Sequence, residues 1–578
     1  MEYKHLGRPC RNFCIFAALF VNDPLDSRLK LVMTSFVAYG TGTVIFVDVL
    51  TGEGESIELP GDEGAWALLD SGDGRLLIGT CGGFGYLHCL DLQSRKWSVP
   101  LRDEKETYIW NLAMGPDGMV YGGTYPGCRV LRYDPAAHTL VNLGRASDDG
   151  NNLYSRRVFA GIPGKILINC GYSRSHIAEL DISSGTFRPV FEKGWQIEEI
   201  TREYIRINTG KEFVYYDPLN YTELEKREFG NDTRNKPIKA KMLASAGDGS
   251  IAGVRGQEYF YSKCSQAEPV FKRIPTQPPA TGILTLAMDS GGGLWGSSAL
   301  GQTIFRYDVA DGEYWNSTDV CDSGGEVYGI CCIGDRIFMS AYCNGDHIVY
   351  APSKRWDRAE NRNPMVLESL APNLVRPSAK SMVGPDGAFW TGWMAKYGTY
   401  GGGLSRVDAD TLRLTSWYDP IPGQALGAIA ADTHYVYFTT YGYANGLETK
   451  VEPFNLGIWE PGKGLVKKIE FPRGKVPRSL CISGRNLLVA GGSEARLFDR
   501  STLEAVGSLQ LSGDCAYAAS VDEENVVLFL QKEAVLINSQ NNAVKGTLDL
   551  PGRVNTAVSD GHGTLYFAAG SDLYALKL

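Results

Sequence analysis

The sequence predicts an all-β protein in which about thirteen four-stranded repeats close into two β-propellers, of about seven and about six blades. Three observations predict this fold: a Gly- and Asp-rich turn that recurs along the chain, a strand motif that ends in Asp, and units of about 40 residues with four short strands each. The chain has 578 residues, 43% of them hydrophobic and 21% charged. Such a composition is typical of a globular protein, and the length exceeds that of one ordinary domain.

One repeat is clearest after residue 108. An apolar strand at 109–114 precedes the turn 115–118, and a second strand follows at 119–124. A third strand is expected at 129–134 and a fourth at 139–143. Short strands joined by tight turns form a small sheet that cannot bury both faces alone, so neighbouring sheets must stack.

Two elements of this repeat recur. Copies of the turn run from 71–74 to 560–563. The third strand repeatedly closes on an Asp, which we expect to accept hydrogen bonds from backbone N–H groups two residues on. The closing residues are Asp48, Asp91, Asp134, Asp181, Asp217, Asp308, Asp408 and Asp499.

The repeats divide the chain into two predicted domains. The polar stretch 318–325 suggests an N-terminal propeller at 1–322 and a C-terminal propeller at 323–578. The last unit, 553–578, ends after its third strand. Residues 2–7 are the plausible fourth strand, in which case the N-terminal strand closes the C-terminal ring.

Charge and cysteine usage indicate the compartment and the partners. The net charge is −9 and no stretch gathers Lys and Arg, so nucleic acid is an unexpected partner. No apolar run approaches the ~20 residues of a membrane span. The apolar run 14–21 resembles a signal-peptide core, but Asn22-Asp23-Pro24 ends it. The 13 Cys show no zinc spacing, so we expect reduced thiols and a cytoplasmic protein.

A first candidate site lies in the N-terminal ring, where polar and aromatic residues fall at strand ends on adjacent repeats. Arginine pairs with a carboxylate, aromatic rings stack on sugars, and Tyr or His can transfer a proton. The alternative is a set of solvated loops whose Arg stems pack on aromatic rings. The expected catalytic residues are Tyr125, Tyr172 and His176, and the expected substrate-binding residues are Trp110, Asn111, Arg156, Arg157 and Arg174.

A second candidate site lies in the C-terminal ring. Arg376 and Lys380 lead one repeat, which continues through Trp393 and Tyr397 into a Gly-rich loop. Glycine lets the backbone approach a ligand. Lys380, Trp393 and Tyr397 are therefore expected to bind substrate, the alternative being packing between repeats. His347 is a further catalytic candidate.

Several catalytic motifs are missing from the sequence. It contains no HExxH pair, no GxSxG elbow and no phosphate-binding GK[ST] loop. The sequence does not identify ligands for a metal. We expect no cofactor, and the alternative is a divalent metal ion.

The segment Gly384-Pro385-Asp386-Gly387-Ala388-Phe389-Trp390-Thr391 resembles the repeat of streptogramin-lyase-like propellers, with looser copies at 288–296 and 115–123. The strand motif ending in Tyr-Asp also resembles quinoprotein-like propellers. The resemblance covers most of the chain at the level of the blade repeat, and it extends to propeller carbohydrate lyases, which need no obligatory cofactor. It implies fold more than function. The His/Glu metal site of streptogramin-type lyases is not matched, and the quinoprotein Trp-docking motif is absent in full, so no bound quinone is implied.

These observations lead to a functional hypothesis. We expect a carbohydrate-active enzyme, a lyase that cleaves a uronate-containing oligosaccharide of the rhamnose–glucuronate type by β-elimination. Arginine would neutralise the uronate, and Tyr or His would abstract the adjacent proton. The alternatives are a non-catalytic propeller that binds a glycan or a protein, and a propeller glycoside hydrolase.

Overall fold

The computed structural model describes residues 1–171, 175–225, 242–263 and 269–578. Within these ranges every regular element is a β-strand, and all strand pairs are antiparallel. The described part of the chain is therefore all-β, as the sequence predicts. It holds no helix that could cross a membrane.

The chain forms two compact units. The N-terminal unit comprises Phe13–Gln277, and the C-terminal unit comprises Met1–Asn12 together with Pro278–Leu578. Residues 278–322 thus group with the C-terminal unit, whereas the sequence analysis places them in the N-terminal ring.

The strands as far as Gln277 are β1 (Glu2–Gly7), β2 (Ile15–Asp23), β3 (Arg28–Ser35), β4 (Thr43–Asp48), β5 (Gly54–Glu58), β6 (Gly64–Asp70), β7 (Arg75–Cys81), β8 (Tyr86–Asp91), β9 (Lys96–Trp97), β10 (Leu101–Arg102), β11 (Tyr108–Met114), β12 (Val120–Tyr125), β13 (Arg129–Asp134), β14 (Thr139–Arg145), β15 (Ser155–Ile162), β16 (Lys165–Cys170), β17 (His176–Asp181), β18 (Phe187–Val190), β19 (Gln196–Ile200), β20 (Ile205–Asn208), β21 (Phe213–Tyr216), β22 (Glu223–Leu224), β23 (Met242–Ser245), β24 (Ile251–Arg255), β25 (Glu258–Ser262) and β26 (Lys272–Arg273).

The remaining strands are β27 (Ile283–Met288), β28 (Gly293–Ser298), β29 (Ile304–Asp308), β30 (Tyr314–Asn316), β31 (Val327–Ile333), β32 (Arg336–Ala341), β33 (Asp346–Tyr350), β34 (Met365–Val366), β35 (Leu374–Arg376), β36 (Ser381–Val383), β37 (Phe389–Ala395), β38 (Gly402–Val407), β39 (Leu414–Tyr418), β40 (Ala425–Ala431), β41 (Val436–Tyr441), β42 (Asn455–Glu460), β43 (Gly464–Glu470), β44 (Ser479–Ser483), β45 (Asn486–Gly491), β46 (Glu494–Asp499), β47 (Ala505–Gln510), β48 (Tyr517–Ser520), β49 (Asn525–Phe529), β50 (Glu533–Asn538), β51 (Val544–Asp549), β52 (Val554–Ser559), β53 (Thr564–Ala569) and β54 (Asp572–Lys577).

Most sheets are four consecutive strands in chain order. In the N-terminal unit these are β2–β5, β15–β18, β19–β22 and β23–β26. Strands β6–β14 form one larger sheet, whose two halves are joined by a single residue pair, Cys81 with Tyr108. The C-terminal unit has sheets β27–β30, β31–β34, β35–β39, β40–β43, β44–β47 and β48–β51.

The last sheet of the C-terminal unit joins both ends of the chain. Strand β1 pairs with β54, so that Glu2 lies opposite Lys577 and His5 opposite Tyr574. The order of this sheet is β1-β54-β53-β52. The segment 2–7 thus supplies the fourth strand that the sequence leaves missing.

Hydrophobic clusters form between neighbouring sheets. In the C-terminal unit each sheet shares a buried cluster with the next one, and the sheet that contains β52–β54 shares one with β27–β30. In the N-terminal unit, sheet β2–β5 packs against both β6–β9 and β23–β26. This packing is consistent with propeller blades, while the number of blades and the closure of two rings stay predictions.

The predicted turn-capping role of the closing Asp residues is confirmed. Asp48 accepts hydrogen bonds from the N–H groups of Leu50 and Thr51 at 2.9 Å each. The bond to the residue two positions on recurs at Asp134, Asp217, Asp308, Asp408 and Asp499, whereas Asp91 and Asp181 bond the third residue. Each carboxylate thereby fixes the hairpin that follows its strand.

Candidate functional site

The first strand of many sheets carries a β-bulge near its start. In the C-terminal unit the register shifts place Leu284, Tyr328, Gly427 and Asn555 at the bulges of β27, β31, β40 and β52. First strands of neighbouring sheets contact one another. Because a bulge redirects its side chain, these four residues hold equivalent positions on the first strands of their sheets, and we call them the bulge layer. We call the surface that the first strands of the C-terminal unit form together its inner surface.

Arg376 is held at the start of this inner surface by two tyrosines. Its Nη1 donates to the hydroxyl of Tyr328 at 2.7 Å. Its guanidinium carbon lies 4.1 Å from the centre of the Tyr342 ring. Both contacts suit a planar guanidinium, which can hydrogen-bond at its edge and stack through its face.

A pair of tyrosine hydroxyls continues the cluster. The Tyr342 and Tyr397 hydroxyl oxygens lie 2.5 Å apart. Burial and the bond to Tyr397 raise the pKa of Tyr342, and burial also raises the pKa of Tyr328. These phenols are therefore neutral near pH 7 and can donate hydrogen bonds to a ligand.

A cavity of about 440 Å³ opens beside the next two sheets. Antiparallel pairing brings the end of a second strand next to the start of a first strand, so Tyr441 and Arg478 meet at this edge. Burial raises the pKa of Tyr441 to about 12, and Arg376 and Arg478 both act electrostatically on its hydroxyl. The residues that line this cavity include Gly427, Tyr441, Tyr443, Lys450, Arg478 and Ala516.

Positive charge dominates this edge of the C-terminal unit. Within the described ranges, Arg376, Lys450 and Arg478 form no salt bridge with a carboxylate. The Lys450 amine lies 4.0 Å from the Tyr400 ring centre. Desolvation opposes the charge of Arg376, but the pKa of its guanidinium is still raised, through Tyr328, Tyr342 and Glu326. Burying a cation without a salt bridge costs desolvation free energy, and binding of an anionic ligand offsets this cost.

Lys380 lies further along the inner surface and not at the cavity edge. Its amine donates to the carbonyl oxygens of Leu284 at 3.1 Å and Asn555 at 3.2 Å, two members of the bulge layer. It also lies 5.3 Å from the centre of the Tyr517 ring. Burial lowers the pKa of the amine to about 8.

Trp393 and His347 have a packing role. The Trp393 side chain is fully buried, and its Nε1 donates to Ser405 Oγ at 2.7 Å. The same hydroxyl lies 2.8 Å from Nε2 of the buried His347. Burial lowers the pKa of His347 to about 3, so this imidazole is neutral in the fold. Of the C-terminal residues predicted to bind substrate, only Tyr397 belongs to the tyrosine cluster around Arg376.

The N-terminal unit holds a different cluster, built on bulges at the same position of successive first strands. The bulge residues are Phe16, Trp66, Trp110 and Arg156. Phe16 stacks on Trp66 with ring centres 4.0 Å apart, and Trp66 lies 5.2 Å from Trp110. The Arg156 guanidinium lies 5.8 Å from the Trp110 ring centre. The structure therefore brings Trp110 and Arg156 together, as the sequence analysis expects.

Tyr125 adjoins this stack through its neighbours. Its ring centre lies 4.8 Å from that of Tyr154 and 5.3 Å from that of Tyr108. Tyr108 in turn stacks on Trp110 at 5.3 Å. Three stacked pairs each cover one face of two rings, so less of their surface is left for stacking a ligand.

Other predicted residues of the N-terminal site lie around the stack. Asn111 bridges two sheets, because its amide donates to the carbonyl and accepts from the N–H of Val158, both at 2.8 Å. The exposed Arg157 lies over Phe159 at 4.9 Å. His176 begins β17, with Nδ1 3.2 Å from the Asn152 amide nitrogen. Tyr172 and Arg174 lie outside the described residues.

Sequence reasoning did not single out Tyr328, Lys450 or Arg478. These residues come from three separate repeats, and each is an ordinary polar side chain in its own segment. The available signal was position, since Tyr328 and Arg478 lie at the start of a first strand, as Arg376 does. In the ranges that the structure describes, no three His, Cys, Asp or Glu side chains gather in a way that could hold a metal ion.

Comparisons with known proteins give fold neighbours of low similarity. No family model and no curated protein matches the chain. Two solved structures of the extracellular domain of BT4673 from B. thetaiotaomicron align with all of this chain, one described as a one component system and the other as a hybrid two component system. The first is 12% identical over 83% of its own length, the second 13% identical over 82%, and each has a TM-score of 0.37.

Proposed function

We propose that the C-terminal unit binds an acidic carbohydrate in the cavity beside Arg376. The observation that carries this proposal is the arginine itself, which is partly desolvated, forms no described salt bridge and is fixed by Tyr328 and Tyr342. Arginine offers five N–H donors in a fork that fits a carboxylate; the Tyr328 bond uses one at Nη1, and the buried Nε has no partner among the described residues.

The rest of the cavity supports a sugar as the carrier of the acid group. Tyr441 and Tyr443 of the wall offer phenol hydroxyls and aromatic faces, which suit sugar hydroxyls and C–H faces respectively. The Tyr342–Tyr397 pair adds two hydroxyls to the Arg376 cluster outside that wall. A volume of about 440 Å³ lies in the range of small-molecule sites. Lys450 and Arg478 add positive charge to the same wall, which favours acidic over neutral glycans.

Cleavage of such a glycan by β-elimination remains the proposed chemistry. The cavity supplies cations that would neutralise a uronate, and the Tyr342–Tyr397 hydroxyl pair can pass a proton. Because burial raises the pKa of Tyr342, this pair is better suited to protonate a leaving group than to abstract a proton. Elimination also needs a base for the proton beside the carboxylate, which these phenols do not supply near pH 7, so a non-catalytic glycan-binding module is the second candidate function.

We also propose that each unit is a propeller related to the streptogramin-lyase-like and quinoprotein-like repeats. In the C-terminal unit this is supported by the unbroken series of buried clusters between successive sheets. The turn sequence Gly384–Gly387 and the Asp-capped hairpins support it further.

Titration calorimetry with uronate oligosaccharides and with their neutral counterparts of equal length tests the binding proposal. We expect the protein to bind the acidic sugars at least about tenfold more tightly, since a charged hydrogen bond is lost with the neutral sugar. Equal affinity for both sets would contradict it. The ultraviolet absorbance of unsaturated uronate products, followed in the same mixtures, reports elimination. A flat trace with intact binding would leave the binding module as the function.

A further inference from the structure

The first strand of one C-terminal sheet is interrupted where it passes the cavity. Strands β35 and β36 both pair with β37, and residues 377–380 between them leave the ladder. Lys380 ends this interruption with a φ of 59°, a left-handed conformation that is uncommon for residues other than glycine. The detour carries Lys380 towards the first strands of other sheets.

The amine of Lys380 reaches two of these strands at their bulges. It donates to the carbonyl oxygens of Leu284 on β27 and Asn555 on β52. An ammonium group has three N–H donors, so two are used in this way. The side chain keeps part of its exposure, and no described carboxylate forms a salt bridge with it.

Three contacts connect Lys380 with the cavity. Tyr517, whose ring lies 5.3 Å from the amine, follows Ala516 of the cavity wall. Ser378 donates to the carbonyl of Leu426 at 2.6 Å, and the next residue, Gly427, lines the cavity. Both the Arg376 side chain and the Lys380 amine bond members of the bulge layer, Tyr328 in one case and Leu284 with Asn555 in the other.

A purely structural link between β27 and β52 does not require a charge. A cation in this place costs desolvation free energy, and burial accordingly lowers the pKa of the amine to about 8. Neutral amides or hydroxyls make equivalent bonds to carbonyl groups at a lower cost. The third N–H donor and the positive charge of Lys380 would therefore both be satisfied by a negatively charged acceptor.

We infer that Lys380 is a second anion-binding group in addition to Arg376, and that the ligand carries two acid groups, as an oligosaccharide with at least two uronate residues does. One carboxylate binds at Arg376 and the other at the free donor of Lys380. This inference rests on the proposed function of the cavity and adds to it the number of acid groups.

Titration calorimetry with the methyl glycoside of galacturonic acid, whose carboxylate is free, and with di- and trigalacturonate tests the inference. The wild type, Lys380→Met and Arg376→Met are compared. We expect Lys380→Met to weaken binding of the longer ligands by about tenfold or more and to leave the monosaccharide affinity unchanged, whereas Arg376→Met weakens both. Equal effects of Lys380→Met on all three ligands, or no effect on any, would overturn the inference. If no uronate binds the wild type, the proposed function itself fails.

Stability and pH separate binding from a structural role. If Lys380 serves only to join β27 and β52, Lys380→Met lowers the melting temperature and leaves ligand affinity intact, which would also overturn the inference. If it binds an anion, affinity for trigalacturonate falls as the pH rises through about 8 in the wild type, while Lys380→Met shows no such step. Lys380→Arg keeps its positive charge above that pH, so this variant should still bind trigalacturonate there. The groups that face the amine are the Leu284 and Asn555 carbonyls and the Tyr517 ring, and burial raises the pKa of that phenol, so it stays neutral over this range.

Discussion

The guanidinium of Arg376 lies against the face of Tyr342, with the Arg376 carbon 4.1 Å from the ring centre. The bond from its Nη1 to the Tyr328 hydroxyl fixes the same group at its edge. An arginine held on two sides has already lost much of its side-chain entropy, so a ligand does not have to order it. Neither tyrosine neutralises the charge, and the Glu326 carboxylate acts on it electrostatically without a described salt bridge.

Replacement of Arg376 tests this arrangement. We expect Arg376→Met to reduce affinity for a uronate sugar by about 10- to 100-fold, the size of a charged hydrogen-bonded pair. Arg376→Lys should recover only part of the loss, because lysine keeps the charge but cannot both stack on Tyr342 and bond Tyr328. Titration calorimetry measures both variants. Arg355, an exposed arginine of the same unit, provides the control, and a similar loss in Arg355→Met would contradict a specific role for Arg376.

Gly442 determines how closely two segments of the cavity wall approach. A Cβ atom at this position would lie 2.4 Å from the carbonyl oxygen of Lys450, whose N–H donates to the Gly442 carbonyl at 3.0 Å. We expect Gly442→Ala to push the segment around Lys450 outwards, to lower ligand affinity several-fold and to cost about 1–3 kcal/mol of unfolding free energy. Calorimetry and urea unfolding measure the two effects.

Gly513→Ala is the matched control for this variant. An added Cβ at Gly513 meets nothing within 4 Å, so the substitution should leave affinity and stability unchanged. Wild-type affinity in Gly442→Ala would mean that the Lys450 segment does not form part of the binding site.

The sequence predicts those parts of the fold that depend on local chemistry. Short strands joined by tight turns and the Asp residues that cap the next turn are local, and Asp48 and Asp408 behave as predicted. The pairing of β1 with β54 could also be predicted from the sequence, since the last repeat lacks a strand. Neither feature requires knowledge of which repeats become neighbours.

The candidate site was less predictable because it depends on register and on distant repeats. Trp393 reads as a ligand-binding aromatic in a Gly-rich loop, yet it lies on β37 and is fully buried. Tyr328 comes to the inner surface through a bulge, which follows from the register between two strands and not from its own segment. Its contact with Arg376 joins residues 48 positions apart in the chain.

Asn111 offers a test of the packing between N-terminal sheets. Its amide satisfies both the N–H and the carbonyl of Val158 on β15, and Asn169 bonds Ile197 of the following sheet in the same way. Asn111→Ala leaves two backbone groups without these partners and should cost about 1–3 kcal/mol of unfolding free energy. Asn111→Asp should cost more, because a carboxylate then faces the Val158 carbonyl.

Urea unfolding followed by circular dichroism measures this cost. Asn541→Ala, which removes a side chain that bonds one exposed turn N–H, should have a smaller effect. If Asn111→Ala is as stable as the wild type while carbohydrate binding is lost, Asn111 is a ligand-binding residue as predicted from the sequence.

The buried His347 links stability of the C-terminal unit to pH. Burial lowers the pKa of its imidazole from 6.5 to about 3, so the folded chain holds it neutral. Below pH 6.5 the unfolded chain takes up a proton that the folded chain does not bind until about pH 3. The neutral histidine therefore makes its full contribution to the free energy of unfolding above pH 6.5. Below that pH the contribution decreases by about 1.4 kcal/mol per pH unit.

Comparison of His347→Gln with the wild type isolates this effect from that of the carboxylates. The variant should be less stable at pH 8, since it disturbs the bond to Ser405, and the difference should narrow steadily between about pH 6 and pH 4. Chemical unfolding at a series of pH values measures it. His562 lies in an exposed turn, and His562→Gln is the control for loss of a histidine that is not buried. A constant difference for His347→Gln would mean that the imidazole has the same pKa in the folded and the unfolded chain, so that burial does not hold it neutral.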